Sequence, residues 1–519
     1  MHQNPTSVHD QTIDATRVEY DEVLVRIVDY VFNYNIISEK AFQRARLALL
    51  DAFGCAVAAA ASNEDCARLI GPVVENTHVP NGARVLGTAF ALDPVKAAFD
   101  NGLLIRYLDH NDGFPGSEWG HPSDNLGAIV SVMDWLSRRQ SAHVAGTGPS
   151  TTSVGQLQEV QATESPGTPR CTLHSLLVAQ IKAYEVQGCF QISNAFNKVG
   201  LDHTILVKLA STAVVSWLIG LNYTQTLAAV SQVWQDGHPL RTFRQAPNTG
   251  PRKGWAAGDA CMRAVHLALV TRAGQPGAPT VLTAPKWGFY ATLFQNKEFV
   301  LPRPYGTWVM ENIFFKTVAA EGHGITAVFA ALRLCEVFRD LQVRPERDIA
   351  CINIRTHAAA KIIIDKSGPL RNPADRDHCM QYLVAVTLLK GSVVEAEDYE
   401  DTSPWASDPR VDDLRLKMDI VEDETFTQDY HDVEKRHVTS ALAVTLKDGR
   451  ILDEVTVPVA AGHPLSSDTE KEVRIKFVKN MGTMFRSSQA EAAFKAVEDG
   501  ELPVHRFVDL FTSESGANL

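Results

Sequence analysis

Residues 209–235 read LASTAVVSWLIGLNYTQTLAAVSQVWQ, an uncharged run long enough to raise the question of a membrane span. A helix crossing a bilayer needs about 20 consecutive apolar residues. Asn222, Thr224 and Gln225 interrupt the run and leave two short apolar segments, so the stretch predicts paired helices buried in a folded interior, with no membrane partner. The helical reading extends outward from there. EVLVRIVDYVFNY (22–34) and EKAFQRARLALLDAFGCAVAAAA (39–61) carry apolar residues at helical spacing, and the alanines of the second permit close packing. Asp93-Pro94 opens a further helix over 94–110, with Asp as N-cap and Pro at the first helical position. The first 300 or so residues therefore read as mostly helical.

After about residue 305 the period shifts. IACINIRTH (349–357), KIII (361–364), TSALAVTLK (439–447) and ILDEVTVP (451–458) read as strands, the last two joined through an Asp448-Gly449 turn as a hairpin. Helical text lies between them at 327–341 and 380–391, and helical residues return over 470–511. The expected architecture is mainly α: a helical domain over 1–309, an α/β or α+β domain over 310–460, and a C-terminal return to the helical domain over 461–519. The Ser-, Thr-, Gly-, Gln- and Pro-rich text within 140–170 reads as a loop insertion.

Lys and Arg number 49 against 61 Asp and Glu, so the formal charge is 49 − 61 = −12. This argues against a nucleic-acid partner, whose affinity comes mainly from phosphate neutralisation. It also means that any anionic substrate must meet positive charge concentrated in one place. The 8 cysteines contain no CxxC pair and no Cys/His zinc spacing, which predicts neither a metal nor an iron–sulfur cofactor. Scattered thiols fit a reducing intracellular compartment. Residues 1–22 lack the basic and apolar pattern of a secretory signal and the bias of a transit peptide, which predicts the cytoplasm, with a mitochondrial or peroxisomal location as alternatives. The terminal Ala517-Asn518-Leu519 is a distant relative of a peroxisomal address.

Polar chemistry concentrates in RYLDHND (106–112), followed by EWGHPSDN (118–125). Asp109 and Asp112 would share a face if the preceding helix continues, and the negative end of its dipole would raise the pKa of a carboxyl placed there. Turn and cap chemistry is the alternative reading of the same residues. Asp202 would cap a helix with His203 in its first turn, where the positive dipole end favours a neutral imidazole. Arg241, Arg244, Arg252 and Lys253 form a basic loop leading into a helix at Trp255, suited either to binding carboxylates or to lying solvated on the surface. Lys316 sits in apolar text, with His323 seven residues on, and His378 and Tyr382 at i and i+4 would share a helix face.

YLDHND…EWGHPSDN resembles the MmgE/PrpD family, in particular its 2-methylcitrate dehydratase branch. The likeness continues through NKVGLDHTILVKLASTAV (197–214), SQVWQDGHPLRTFRQAPNTGPRKGWAAGDA (231–260), KWGFYATLF (286–294) and RPYGTWVMENIFFK (303–316). It extends through SGPLRNPADRDHCMQYLVAV (367–386) and DYHDVEKR (429–436) to PVHRFVDLF (503–511). The resemblance implies a large helical domain with a smaller α/β lid, a homodimer, and cofactor-free lyase chemistry on tricarboxylates. By motif position it implies Asp109, His121, His203, Lys316 and Tyr382 as catalytic residues, with Asp112, Arg252, Lys253, His323 and His378 binding substrate and no metal. The sequence departs from the dehydratase pattern at Gly113, where the family leads one to expect Thr. It departs again at Ala319-Ala320-Glu321-Gly322-His323-Gly324-Ile325, where Pro-Ala-Glu-Phe-His-Ala-Gln is expected. Loss of bulk and polarity near the expected pocket suits a citrate with an alkyl chain longer than methyl, with neutral drift in a 2-methylcitrate dehydratase as the alternative reading.

The reaction implied is dehydration of a 2-alkylcitrate to the 2-alkyl-cis-aconitate, with Asp109 or His203 as base and His121 or Tyr382 assisting departure of water. Lysine and arginine would stabilise the developing charge. Competing readings are a cis-aconitate-type decarboxylase, an isomerase of an unsaturated acid, and a non-catalytic helical binding protein.

Overall fold

The computed structural model describes residues 19–513 apart from 63, 146–168, 236 and 246. The readings of the N-terminal tail, of most of the 140–170 insertion and of Ala517-Asn518-Leu519 fall outside these residues.

The 209–235 stretch is divided between two helices, Thr204–Leu218 and Tyr223–Gln232. Its polar break is a capping box: the Gln225 amide donates to the Asn222 side chain at 2.9 Å, and the Asn222 amide donates to the Gln225 side chain at 3.0 Å. The first helix is buried on nearly every face, which accounts for a sequence that is hydrophobic all round. No helix among the described residues is long and apolar enough to cross a membrane.

Three more helices frame the site: Pro94–Arg106, Leu126–Val144 and Arg252–Arg272. Asp93 caps the first, accepting from the Val95 and Lys96 amides at 3.0 Å each. They cross at glycines. A Cβ on Gly127 would stand 2.5 Å from the Gly102 Cα, and one on Gly258 2.4 Å from the Phe99 carbonyl oxygen. Only glycine permits this approach, which sets Tyr107, just past the end of the first helix, against Gly254 at the start of the third.

Buried side chains gather into two hydrophobic cores. The larger draws on helices from residue 24 to 315 and again from 473 to 511, and the smaller on residues 314–460. The smaller holds a four-stranded sheet in the order Met418–Glu422, Ile349–Thr356, Ser440–Leu446, Val455–Val457. The first pair is parallel, with Ile354 opposite Ile420, and the other two are antiparallel, with Ile354 opposite Leu442 and Leu442 opposite Val455. Helices Ile325–Leu341 and Met380–Lys390 pack in the same core. The fold is thus mainly helical with a small α/β part.

Two strand readings change. Residues 361–364 lie in the helix Ala358–Ile364, because His357 caps it through the Ala360 amide and an alanine run supplies its first turn. Of 451–458 only Val455–Val457 pairs as a strand, with one isolated bridge from Ile451 to Thr445.

Candidate active site

The Pro94–Arg106 helix stops before the cluster expected at its end. Asp109 has φ 51°, a left-handed conformation that the helix cannot carry, so Asp109 and Asp112 do not share a helix face. Asp112 accepts from the Ser123 amide at 3.0 Å, the Ser123 hydroxyl at 2.7 Å and the Tyr184 hydroxyl at 2.8 Å. Burial pushes its carboxyl up to about 6. These bonds make it a scaffold for the 121–123 turn.

Asp109 meets cations instead. Arg106 Nη1 donates to its Oδ1 at 2.5 Å, and Lys316 Nζ donates to the same oxygen at 2.6 Å and to the Asp109 carbonyl at 2.9 Å. The expected rise in its pKa is reversed. Burial does push it up, but Arg106 and Lys316, with Lys253 and His121 adding to them, hold the carboxyl well below its usual range.

His121 Nδ1–H donates to the Asp112 carbonyl at 2.7 Å, which leaves Nε2 to accept from Arg106 Nη2 at 3.0 Å. Burial, then Arg106 and Lys316, hold this imidazole well below its ordinary pKa, and hence neutral. The His203 ring lies 5.7 Å from it, centroid to centroid. His203 stands at the N-cap of Thr204–Leu218, and the Asp202 carboxylate accepts from the Thr204 amide at 3.2 Å. Both ring nitrogens of His203 are buried without a hydrogen-bond partner among the described residues. Burial lowers its pKa most, and Arg244, Arg241 and Arg106 lower it further against the opposing pull of Asp202. It is a neutral imidazole with unused capacity to accept a proton.

The basic loop divides by role. Arg244 donates to Asp202 at 2.5 Å and Arg241 to Glu118 at 3.2 Å, so buried carboxylates neutralise both. The following helix begins at Arg252, not Trp255. The Arg252 guanidinium stacks 4.1 Å from the centre of the Trp255 ring and lines a small cavity with Thr204 and Arg263. Lys253 reaches the other core: its Nζ donates to Asp377 Oδ2 at 2.5 Å and lies 3.2 Å from His378 Nδ1, which is itself 2.6 Å from Asp377 Oδ1.

His378 and Tyr382 do not share a helix face, because the helix begins at Met380. The Tyr382 hydroxyl donates to the Asp398 carbonyl at 2.8 Å, and the carboxylates of the cluster are not among the charges that act on it. Tyr399 is the tyrosine that feels them: burial, then Asp377, and further down Asp109, raise its phenol well above the ordinary range. His323 stands behind Glu321, with Nδ1 2.9 Å from Oε1 and Nε2 3.2 Å from the Tyr430 hydroxyl. Glu321 faces the cluster. Burial opposes its ionisation, but His323, then His378 and Lys316, lower its carboxyl to about 2.

Trp119 alters the reading of the substituted glycines. A Cβ on Gly113 would stand 2.9 Å from the Trp119 indole nitrogen, and one on Gly322 2.5 Å from the ring carbon Cζ2. The indole therefore fills the space that these glycines leave. It lies 4.8 Å from the His323 ring, and its N–H is buried without a partner. Gly324 faces Leu383, and Ile325 is buried in the smaller core, so neither opens the pocket.

Arg106, Asp377, Glu321, Trp119 and Tyr399 were not among the residues expected to act. Arg106 and Asp109 at i and i+3, and Asp377 beside His378, were the available signals. Asp109, Asp377 and His378 each offer a ligand atom within 4.8 Å of the others. The same carboxylates already hold Arg106, Lys253 and Lys316, so a divalent cation there would be set among three positive charges. The donor set fits ammonium and guanidinium groups better than a metal.

Fold and cluster together define a mainly helical protein with a cluster of buried charged groups where its two cores meet. The chain belongs to the MmgE/PrpD family, matching the MmgE/PrpD N-terminal domain over residues 25–302 and the C-terminal domain over 318–501. It is 51% identical over 503 residues to the 2-methylcitrate dehydratase-like protein oryR of Aspergillus oryzae, covering 96% of this chain and 97% of that one. It is 46% identical over 493 residues to the alkylcitrate dehydratase phiI of a fungal species, covering 95% and 94%. A mitochondrial 2-methylcitrate dehydratase of Yarrowia lipolytica is 45% identical over 505 residues, covering 96% of this chain and 92% of its own.

Proposed function

We propose that the protein is a hydro-lyase that converts a 2-alkylcitrate to the 2-alkyl-cis-aconitate and water, using side chains alone. The observation that carries this reading is the neutral His203, without a hydrogen-bond partner among the described residues, beside a cluster in which Arg106, Lys253 and Lys316 face Asp109 and Asp377. Relatives named as 2-methylcitrate and alkylcitrate dehydratases supply the substrate class. In this reading the carboxylates of the substrate compete with Asp109 and Asp377 for the three cations. His203 takes the proton from the alkyl-bearing carbon, the electron pair of the C–H bond forms the double bond, and the C–O bond breaks. Arg106 and Lys253 stabilise the aci-carboxylate charge that develops. Lys316, whose pKa burial lowers, delivers the proton with which hydroxide leaves as water. Asp109, displaced from its cations but still buried, would rise in pKa and stand as the alternative base. His121 and Tyr382 are poor donors to the leaving group, because their protons are already engaged.

The cleft between the cores as substrate site, the domain limits near 310 and 460, and a homodimer in a reducing intracellular compartment belong to the same proposal. The test is to incubate chelator-treated protein with citrate, 2-methylcitrate, hexyl- and octenyl-type citrates and cis-aconitate. Conjugated-alkene absorbance and CO2 are then followed. Alkene formation from alkylcitrates without CO2 is expected, and CO2 from cis-aconitate would replace this reading with a decarboxylase. Chain length turns on Trp119: higher efficiency on longer chains means that the indole yields its place on Gly113 and Gly322, and a preference for 2-methylcitrate means that it stays.

A further inference from the structure

A buried lysine from late in the chain meets the backbone on both sides of the Asp109–Lys316 pair. Lys476 lies on the helix Thr469–Met481, buried, and its ammonium meets two backbone carbonyls and one carboxylate. It forms an ion pair with Asp51 Oδ1 at 2.7 Å, donates to the His110 carbonyl at 2.5 Å and donates to the Lys316 carbonyl at 2.8 Å. Asp51 is buried on the helix Glu39–Ser62, so the ion pair is anchored in the body of the larger core. The two carbonyls belong to the residue after Asp109 and to Lys316 itself. Since Lys316 Nζ in turn holds the Asp109 carbonyl and carboxylate, the contacts close a ring through both residues.

Such a ring meets a need of the site. Asp109 is held at φ 51°, a conformation that persists only where the surroundings over-determine it. Lys316 lies where the chain passes from one core to the other, directly after the paired Gly113–Phe314 bonds of 2.8 Å and the Phe315–Gly462 bond of 2.9 Å. Proximity effects in catalysis are lost with displacements of about 1 Å. We propose that Lys476, with Asp51 as its counter-ion, is a positioning residue that fixes the Asp109–Lys316 pair in its working geometry. The inference rests on the proposed lyase reading for its kinetic readout and on the structure alone for its geometry.

A purely structural ion pair between two helices is the competing account, and a pair of variants separates them. Lys476→Met leaves Asp51 buried and unpaired, and should lower both thermal stability and kcat. In the double variant Asp51→Asn, Lys476→Met the stranded charge is gone, so stability should recover. The two carbonyls remain unheld, so kcat on the alkylcitrate should stay down about 100-fold with KM within about threefold of wild type. Hydrogen exchange is the readout independent of activity: peptides over 106–114 and 313–317 should lose protection in the double variant. Recovery of kcat together with stability, or unchanged exchange in those peptides, would overturn the proposal. If the double variant does not fold, Lys476→Arg and Lys476→Gln take its place, with higher kcat and protection in Arg expected and equality of the two counting against it. A wild-type protein that dehydrates no alkylcitrate sinks the functional reading and leaves the exchange experiment standing.

Discussion

Asp109 and Asp377 are two buried carboxylates that face the same cations, and they are supported differently. Asp109 belongs to the larger core and has a cation of its own wall, Arg106, besides Lys316 from the segment that crosses between the cores. Asp377 follows the short helix Pro373–Arg376 of the smaller core, and its partners are Lys253 from the helical side and its neighbour His378. If the two cores separate, Asp109 keeps Arg106 while Asp377 loses its only lysine. In the proposed reading, one carboxylate is part of a pre-organised centre and the other is a latch between the two cores.

The sharpest way to break that contrast is to remove each charge. Asp109→Asn should lower kcat by about three orders of magnitude, since it strands Arg106 and Lys316 and removes a group at the reacting centre. Asp377→Asn should act mainly on KM, raising it about tenfold, because the loss of the latch outweighs the freeing of Lys253 for substrate. Steady-state kinetics on the best alkylcitrate measures both. Equal losses of kcat would mean that the two carboxylates are equivalent and that the latch does not exist.

The difference between the walls also governs what the amino-acid sequence disclosed. Asp109, His121 and the 118–125 turn lie within seventeen or so residues, so one motif contains the helical wall. Asn222 and Gln225 announced the break in the 209–235 stretch because a capping box is local chemistry. The other wall is assembled from residues 321, 377 and 399, met by Lys253 from the helical side, and no local rule links them. The i, i+4 spacing of His378 and Tyr382 misled because Cys379 is the N-cap, which leaves His378 outside the helix. Gly113 and Gly322 suggested an opened pocket, and only the fold shows an indole lying on both. The pKa of Asp109 was read with the wrong sign because the helix dipole was the one field legible locally. Arg106 and Lys316 at hydrogen-bond distance outweigh it.

His203 tests the rigid wall through stability. Its folded pKa lies well below the ordinary value of about 6.5, so below that pH the unfolded chain binds a proton that the folded protein does not. The contribution of this group is thus fully present above about pH 6.5 and is lost on acidification at about 1.4 kcal/mol per pH unit. His203→Gln has no such loss. The stability of wild type relative to the variant, from denaturant unfolding at several pH values, should fall steadily between about pH 6.5 and 5. A constant difference would mean that His203 ionises freely in the folded protein, and the neutral base would be lost with it.

The smallest effect is expected at Tyr382. Its hydroxyl is committed to the Asp398 carbonyl, and the charges acting on it are Arg376, Asp398 and Arg415 of its own core. Tyr382→Phe removes one neutral hydrogen bond and leaves the Asp398 carbonyl short of a donor, which should cost about 1 kcal/mol of stability. Turnover should change by less than about threefold, since the ring is kept and no reacting proton is removed. Tyr399→Phe makes the informative partner, because that phenol feels Asp377 and Asp109 while donating to the Ala319 carbonyl at 2.5 Å. If Tyr382→Phe abolished activity and Tyr399→Phe spared it, substrate binding would have to turn the smaller core enough to carry Tyr382 into the cluster. The latch at Asp377 would then describe only the ligand-free arrangement.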